Sequence, residues 1–352
     1  MPDWTKSMQQ TFEYYIVDPG TWADVTKLEN VKKSNIVRDA EAETLGNATI
    51  DITESVGECY IRIYLITIQK GIRERHPLGT FLVQTPSSSY NGKIREVSMD
   101  AYTPLLELKE NQPPLGYSIP KGQNIMDIAY QLTREHVRAP VVQTTDDTKL
   151  VFDFVSDTED TWLTFNTDLL ANAKYAYDLD DRGRILFAPK QDTASLQPVW
   201  TYDDSNSSIL YPDISMDHDI YGIPNVVEVL YSNGAGHYYS RVSNDDANSP
   251  ISTINRGREI VYRVTNPELT NFPTQKQIDE YAEQLLRDLS TLEYTITYTH
   301  GYCPVRLGDC VRLNYKRAGL MNIKAKVTRQ AIDCTPGCPV TEKAVFTNRL
   351  WR

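Results

Sequence analysis

The sequence predicts a β-rich α+β protein, and three observations indicate this class. Residues 58–70 alternate in side-chain type and are rich in β-branched and aromatic residues, which is typical of a strand. The dipeptide Asn91-Gly92 separates two further strand-like stretches and is a strong signal for a hairpin turn. Residues 274–292 carry apolar side chains at helical spacing. The chain is therefore expected to combine antiparallel sheets with isolated helices.

Length, charge and cysteine use argue against several classes of protein. At 352 residues the chain has room for two or three domains, and 36 basic against 47 acidic residues give a net charge of −11. No run of lysine and arginine suggests a nucleic-acid-binding surface. No apolar run approaches membrane-spanning length, and the first residues lack the features of a secretory signal. Five cysteines without such a signal predict synthesis in a reducing compartment.

The first hundred residues are predicted to form antiparallel sheet. Residues 47–55 and 58–70 are strands, and the charged, Gly- and Pro-bearing residues 70–79 are expected to form a loop. The alternation of the second strand places two sets of side chains on opposite faces: Ile61, Ile63 and Leu65 on one, and Tyr60, Arg62, Tyr64 and Ile66 on the other.

A change of composition marks the middle of the chain. Residues 110–123 are rich in Pro and Gly, and a short helix follows, for which Asn124 is a suitable N-cap. Residues 148–157 are predicted to be a strand, 158–177 a helix, and 178–192 a turn followed by a strand.

From about residue 200 the chain returns to strands, interrupted by one long helix. Thr274 and Gln277 form a capping box at its start. The predicted domains are residues 1–110 and 201–352, each mainly sheet, and a small α/β domain over 111–200.

Two close pairs of cysteines raise the question of a metal site, a disulfide or free thiols: Cys303, Cys310, Cys334 and Cys338. Their C-x6-C and C-x3-C spacings fit the knuckles of structural zinc sites poorly, so no metal is predicted. Both pairs flank predicted turns, at 306–309 and 335–338. Cysteines in these positions lie within plausible bridging distance, so a disulfide that forms after release from the cell is a second alternative. Free thiols are the favoured state. The alternation of the strand after the first turn places Cys310 on the face away from the core.

No motif supports catalysis, and no catalytic residue or cofactor is assigned. The nucleophile-elbow, zinc-protease and phosphate-loop motifs are absent, and the five histidines have no evident partners. The acidic stretch 211–222 lacks the glycine and the distal glutamate of a calcium loop, so it is expected to be solvated surface.

One stretch of the middle region resembles a carbohydrate-binding module. Residues 116–132 are similar to the start of a lysin-motif, or peptidoglycan-binding, module, although its second half is not apparent. Tyr117, Gly122 and Asn124 are the candidate glycan contacts, and a packing role for the same residues is the favoured alternative.

Several stretches in a fixed order give a wider resemblance. These are residues 12–18, 60–65, 76–86, 100–125, 223–232, 274–289 and 303–313. Together they resemble the baseplate hub, or tail-associated, proteins of tailed bacteriophages and related injection machines. The resemblance covers nearly the whole chain, and the order of the pieces carries it. The four clustered cysteines are not part of the family pattern.

The resemblance implies a fold and a function. Two tail-tube-like antiparallel β-barrel domains with smaller α/β domains would assemble as a homotrimeric ring that leaves a channel for DNA. The implied partners are the tail tube or distal tail protein, the tape measure protein and tail tip, spike or fibre proteins. DNA would pass without specific binding, and the chain would not insert into a membrane. The expected location is the virion, after assembly in the host cytoplasm. Enzymatic activity is expected to belong to partner proteins, because the chain stops after the second barrel. A glycan-binding module is the alternative.

Overall fold

The computed structural model describes residues 2–54, 56–90, 92, 95–233, 236–267 and 273–351. The strands, in chain order, are β1 Gln9–Val17, β2 Asp24–Leu28, β3 Val31–Asp39, β4 Gly46–Ile52, β5 Tyr60–Gln69, β6 Ile72–Tyr90, β7 Arg95–Tyr102, β8 Ser118–Ile119, β9 Phe154–Val155, β10 Tyr175–Leu179, β11 Ile185–Pro189, β12 Trp200–Asp203, β13 Leu210–His218, β14 Val226–Asn233, β15 Gly236–Ser243, β16 Val261–Thr265, β17 Thr291–Gly301, β18 Cys310–Asn314, β19 Ile323–Asp333 and β20 Pro339–Arg349. The helices are α1 Leu106–Lys109, α2 Ile125–His136, α3 Trp162–Asn172, α4 Thr253–Arg256 and α5 Gln275–Leu289, with a 3-10 turn at Lys316–Ala318.

The largest sheet is open, with 13 of these strands. Its order is β13-β17-β20-β19-β3-β4-β7-β6-β5-β1-β2, and β18 and β12 branch from β19. The two closed barrels expected from the resemblance are therefore wrong for the single chain as described. The reason is that β3 pairs with β19, with Ile36 opposite Ile332. This pairing joins the N-terminal strands to the C-terminal strands, so neither set of strands closes into its own barrel.

The chain forms two compact units. The first contains residues 1–214 and 298–344, and the second 215–297 and 345–352. In the second unit, α5 covers one face of the sheet β15-β14-β16, and both surfaces contribute to a shared apolar cluster: Val227, Val229, Ile278, Ala282 and Leu286. The domain boundaries predicted near residues 110 and 200 stay predictions.

Two apolar cores in the first unit explain why β5 is buried on both faces. Ile61, Ile63 and Leu65 pack into a core shared with the C-terminal strands, including Val340. Tyr60 packs into a second core with the helices α1, α2 and α3. The predicted division of β5 into two faces is confirmed, and water is excluded from both of them.

Several local predictions are confirmed because they depend on neighbouring residues. Asn124 caps α2, its side chain accepting from the Asp127 N–H at 3.0 Å. Thr274 and Gln277 form the capping box of α5. The hairpin around Asn91-Gly92 pairs Tyr90 with Arg95, although Asn91 itself lies outside the described residues.

Three element predictions are wrong. The charged segment after Lys70 belongs to strand β6, because Lys70 and Gly71 (φ 50° and 79°) make a tight turn, and Pro77 is accommodated where the pairing register shifts. Residues 148–157 contribute only the short strand β9, which pairs with β8. The helix expected over 158–177 ends at Asn172, and Tyr175 begins a strand paired with β11.

Among the described residues, no helix combines the length and apolar character needed to cross a membrane.

Candidate functional site

The second cysteine pair lies in the apolar core at a tight turn. The Cys338 N–H donates to the Thr335 carbonyl at 2.8 Å, and Gly337 has φ 94°, which fits the predicted turn over 335–338. Cys334 and Cys338 belong to the same buried cluster as Tyr14. Burial raises the pKa of Cys334 to about 12 and also raises that of Cys338. Both thiols are therefore protonated and unreactive at neutral pH.

The first cysteine pair is split between two environments. The Cys303 sulfur lies 3.3 Å from the Tyr202 hydroxyl. Cys310 is only 2% exposed, so the prediction that it faces away from the core is wrong. Its strand, β18, is flanked by β12 and β19, and the alternation leaves only Arg312 and Asn314 half-buried.

All five cysteines are free thiols, and among the described residues no group of three or more His, Cys, Asp or Glu side chains is placed to hold a metal ion. Disulfide pairing of Cys303, Cys310, Cys334 and Cys338 after release from the cell stays a prediction.

Next to Cys303, the sheet encloses a buried network of polar side chains centred on Glu342. His300 Nε2 lies 3.3 Å from Glu342 Oε1, and both side chains are fully buried. The Tyr298 hydroxyl donates to Glu342 Oε2 at 2.7 Å, and Gln330 Nε2 donates to Glu342 Oε1 at 2.6 Å. The Tyr202 hydroxyl lies 3.0 Å from His300 Nε2. The network joins β12, β17, β19 and β20 through one carboxylate.

The network carries a buried ion pair. Burial alone would lower the pKa of His300, but its interactions with Cys303 and Glu342 raise it to about 10. Burial alone would raise the pKa of Glu342, but hydrogen bonding to His300 and the imidazolium charge lower it. Near neutral pH the pair is therefore an imidazolium and a carboxylate.

Cys303, His300 and Glu342 are the residue types of a nucleophilic triad, but their geometry supports a structural role. His300 Nδ1 donates to the Gly301 carbonyl at 2.7 Å, so this nitrogen is not free to take a proton from the thiol, 3.9 Å away. All three side chains are at most 2% exposed, which denies a substrate access to the sulfur. The network holds strands together.

A second polar cluster fastens the β10–β11 hairpin to the strands of the first unit. The Arg182 carbonyl accepts from Trp22 Nε1 at 2.9 Å, from Thr80 Oγ1 at 2.8 Å and from Arg62 Nη2 at 3.4 Å. Gly183 has φ 73°, and a Cβ there would lie 2.7 Å from Thr80 Cβ, so the close approach requires glycine.

Two arginines hold the adjacent carboxylate of the hairpin turn. Asp181 lies 3.2 Å from Arg38 Nη2 and 3.4 Å from Arg306 Nε. Arg38 Nη1 also donates to Gln330 Oε1 at 3.1 Å, which links this cluster to the Glu342 network. The arginine clasp, defined as Arg38, Arg62 and Arg306, therefore ties the hairpin to strands β3 and β5 and to the loop between β17 and β18.

The three candidate glycan residues lie in a packed element. The Tyr117 ring packs edge-on against Trp162 and Phe165, at centroid distances of 5.1 and 5.5 Å. Gly122, with φ 86°, donates its N–H to the Leu150 carbonyl. Asn124 caps α2 and donates from Nδ2 to the Asp146 carbonyl at 2.6 Å.

Replacement of Asn124 by alanine is expected to lower the free energy of unfolding by about 1–2 kcal/mol, because it removes the helix cap and the Asp146 bond. Asn124→Ser, which keeps a capping oxygen, should lose less. Urea titration of both variants measures the difference. Unchanged stability of Asn124→Ala would count against the packing role and favour a ligand contact.

The sequence alone did not reveal the Glu342 network or the arginine clasp. Glu342 and His300 are separated by 42 positions, and Arg62 was visible only as one charged residue in a strand. The charge at position 62 inside an otherwise apolar strand was the one available signal, since a buried arginine requires a partner.

No protein-family model matches the chain, and no curated protein matches it in sequence. Solved structures do match. The chain aligns over 96% of its length with 96% of a tail protein from Neisseria meningitidis MC58, at 12% identity and a TM-score of 0.63. It aligns over 97% of its length with 98% of the 43 kDa tail protein of prophage MuSo2 from Shewanella oneidensis, at 13% identity and a TM-score of 0.62. Prophage tail protein gp18 from Listeria monocytogenes EGD-e follows at 10% identity and a TM-score of 0.50, with 94% of each chain covered.

At these identities the likeness concerns the fold, and it extends over nearly the whole length of each chain. The resemblance found in the sequence is confirmed at this level. The chain has the fold of phage tail proteins.

Proposed function

We propose that the chain is a structural protein of the virion, a baseplate or tail-tip hub that forms a homotrimeric ring. The end-to-end fold match with tail proteins is the observation that carries this proposal. Two features support it. The side chains of the Glu342 network are enclosed, which suits a structural role. The open sheet path ends at β2 and β13, and such edge strands are available for pairing or packing with other chains.

In this proposal the ring connects the tail tube, or a distal tail protein, to the tip, spike or fibre proteins, and contacts the tape measure protein. DNA passes through its channel without specific binding, and the net charge of −11 supports this because like charge opposes phosphate contact. Assembly takes place in the cytoplasm of the host bacterium.

Immunogold labelling of tailed particles tests the location. Antibody raised against the full chain should place gold at the distal end of the tail, with antibody against the capsid protein as the control. Gold on the capsid alone, or on no particle, would contradict the proposal.

One observation favours a glycan-binding role as a second candidate. Val151 and Phe152 are 75% and 78% exposed, directly after Leu150, which accepts the Gly122 N–H. An exposed aromatic ring beside the stretch similar to a lysin motif is a suitable surface for stacking on a sugar. Retention of the chain on purified peptidoglycan, abolished by Phe152→Ala, is the expected result for this candidate, and no retention would dismiss it.

A further inference from the structure

A hairpin in the first unit concentrates positive charge in an otherwise acidic chain. Strands β18 and β19 and the 3-10 turn between them span residues 310–329, here called the basic ribbon. The basic ribbon contains no aspartate or glutamate and carries six cations: Arg312, Lys316, Arg317, Lys324, Lys326 and Arg329. The whole chain has a net charge of −11, so the charge of the basic ribbon is opposite in sign to that of the remaining residues.

The strand register places like charges side by side on one face of the basic ribbon. Arg312 lies directly opposite Lys324, and Cys310 lies directly opposite Lys326. Because side chains alternate along a strand, Arg312, Lys324 and Lys326 share this face. Like charges at directly opposed positions destabilise a sheet, and an anionic group bound to this face would offset that cost.

The chain itself supplies few acceptors for these cations. Of the six, only Arg329 forms an ion pair within the described part of the chain, with Asp39 at 3.3 Å. Lys324 Nζ donates to the Leu196 carbonyl at 3.2 Å. Arg312 Nε is shielded from solvent and has no hydrogen-bond partner among the described residues. An unsatisfied charged donor is costly, so the basic ribbon is suited to acceptors that come from outside the chain.

Strand β13 carries the complementary charge. It is the last strand at one end of the largest sheet, where it pairs with β17. Asp213 and Asp217 are exposed and lie on the same side of this strand, and neither forms an ion pair with a described residue. The chain therefore has an acidic edge strand as well as a basic hairpin.

The acidic strand and the basic ribbon are too far apart to neutralise each other within one chain. The strands run in the order β13-β17-β20-β19, and β18 follows β19. Three steps between neighbouring strands separate β13 from β19 by about 14 Å. Salt screens exposed charges beyond about 8 Å under physiological conditions. The two charged surfaces therefore lie at opposite ends of this group of strands and face outward.

We propose that the basic ribbon is the docking surface for strand β13 of a second copy of the chain. Charge complementarity supports this occupant, because the exposed carboxylates of β13 match the cations of the basic ribbon. A closed ring of identical copies needs two different, complementary surfaces on each copy, and these two surfaces meet that requirement. The inference rests on the proposed hub and specifies a contact between its copies. Duplex DNA fits less well, since it would also meet the negative charge of the rest of the chain.

Sedimentation equilibrium of the full chain, at low and at high salt, tests the contact. Lys316→Glu/Lys326→Glu should weaken the association of copies at least about tenfold at low salt, because attraction is replaced by repulsion. Asp213→Lys/Asp217→Lys should weaken it by a similar factor. The chain that combines all four changes should associate to within about threefold of wild type, since the two surfaces exchange their signs and match again.

A matched control reverses the same number of charges elsewhere. Lys33 and Lys121 are exposed and lie outside the basic ribbon. Lys33→Glu/Lys121→Glu should therefore change the association less than about twofold. Thermal unfolding checks that each variant is folded. If the half-buried Lys326 does not tolerate glutamate, Lys316→Glu/Arg317→Glu at the exposed turn provides the second reading, with the same direction expected.

The possible failures separate this contact from the hub. If wild type associates and the basic-ribbon variants associate equally well, the contact is wrong and the hub stands. Equal losses in the ribbon and control variants, or no recovery in the four-fold variant, also contradict the contact. A wild-type chain that stays monomeric contradicts both the contact and the hub. A mobility shift of duplex DNA that the ribbon variants abolish, with self-association unchanged, would assign the basic ribbon to nucleic acid and overturn the proposal.

Discussion

Replacing Glu342 with alanine is expected to lower the free energy of unfolding by about 3–5 kcal/mol, because the change leaves the His300 imidazolium buried without its counter-charge. The hydrogen bonds from Tyr298 and Gln330 are lost at the same time. Four strands contribute to this network. The loss should appear as a lower urea midpoint, while the slope of the unfolding free energy against urea concentration stays unchanged.

Tyr298→Phe is the matched control, because it removes one donor, keeps the ring and leaves the ion pair intact. Its expected loss is about 1.5–3 kcal/mol, the range for a hydrogen bond to a charged group. A loss for Glu342→Ala no larger than that for Tyr298→Phe would show that the ion pair contributes little. It would then be wrong to treat His300 and Glu342 as the centre of the network.

The same ion pair predicts a dependence of stability on pH. The pKa of His300 is raised from 6.5 to about 10, so its contribution is complete below pH 6.5 and is lost as the pH rises towards 10. The pKa of Glu342 is lowered from 4.5, so its contribution is complete above pH 4.5 and is lost as the pH falls. The stability difference between wild type and Glu342→Gln should therefore be largest between pH 4.5 and 6.5.

Above pH 6.5 this difference should shrink by at most about 1.4 kcal/mol per pH unit. Urea titrations of both proteins between pH 5 and pH 9 measure it. A difference that stays constant over this range would contradict the raised pKa of His300.

The second large effect is expected at Arg62, whose replacement by alanine should lower the free energy of unfolding by about 2–4 kcal/mol, because it removes several hydrogen bonds donated by a buried charged group. Its side chain is 3% exposed and lies 2.8 Å from Asp24. It also donates to Thr80 Oγ1 at 2.8 Å and to the Trp22 carbonyl at 3.2 Å. Removal leaves the Thr80 and Trp22 acceptors without this donor, while Asp24 keeps Arg75 at 3.2 Å and the Tyr64 hydroxyl at 2.8 Å.

Hydrogen exchange separates the effect of Arg62 on the hairpin from a general loss of stability. Relative to wild type, Arg62→Ala should speed the exchange of amides in the β10–β11 hairpin more than that of amides in β19, because Arg62 also donates to the Arg182 carbonyl. Arg62→Lys keeps the charge but not the fork of donors, and should fall between wild type and alanine. A uniform change in exchange across the chain would contradict a specific role in the clasp.

The sequence predicted those parts of the fold that depend on neighbouring residues. The cap at Asn124, the capping box at Thr274 and the turn at 335–338 each rely on side chains within a few positions. The resemblance to tail proteins was also visible, because it rests on the order of motifs along the chain.

The predictions that failed depend on contacts between distant segments. Arg73 and Arg75 made residues 70–79 look like a loop, yet in β6 they are placed beside Glu13 and Asp24 of other strands. The burial of Cys310 and the pairing of His300 with Glu342 likewise come from strands that meet only in the folded sheet. Periodicity within one segment carries no information about such partners.

The mass of the purified full chain in solution tests the proposed hub most directly. Native mass spectrometry is expected to show a species of three times the 40.1 kDa chain mass, and negative-stain images of the same sample should show rings with threefold symmetry and a central channel. A chain that remains at 40.1 kDa at every concentration and forms no rings would contradict the hub.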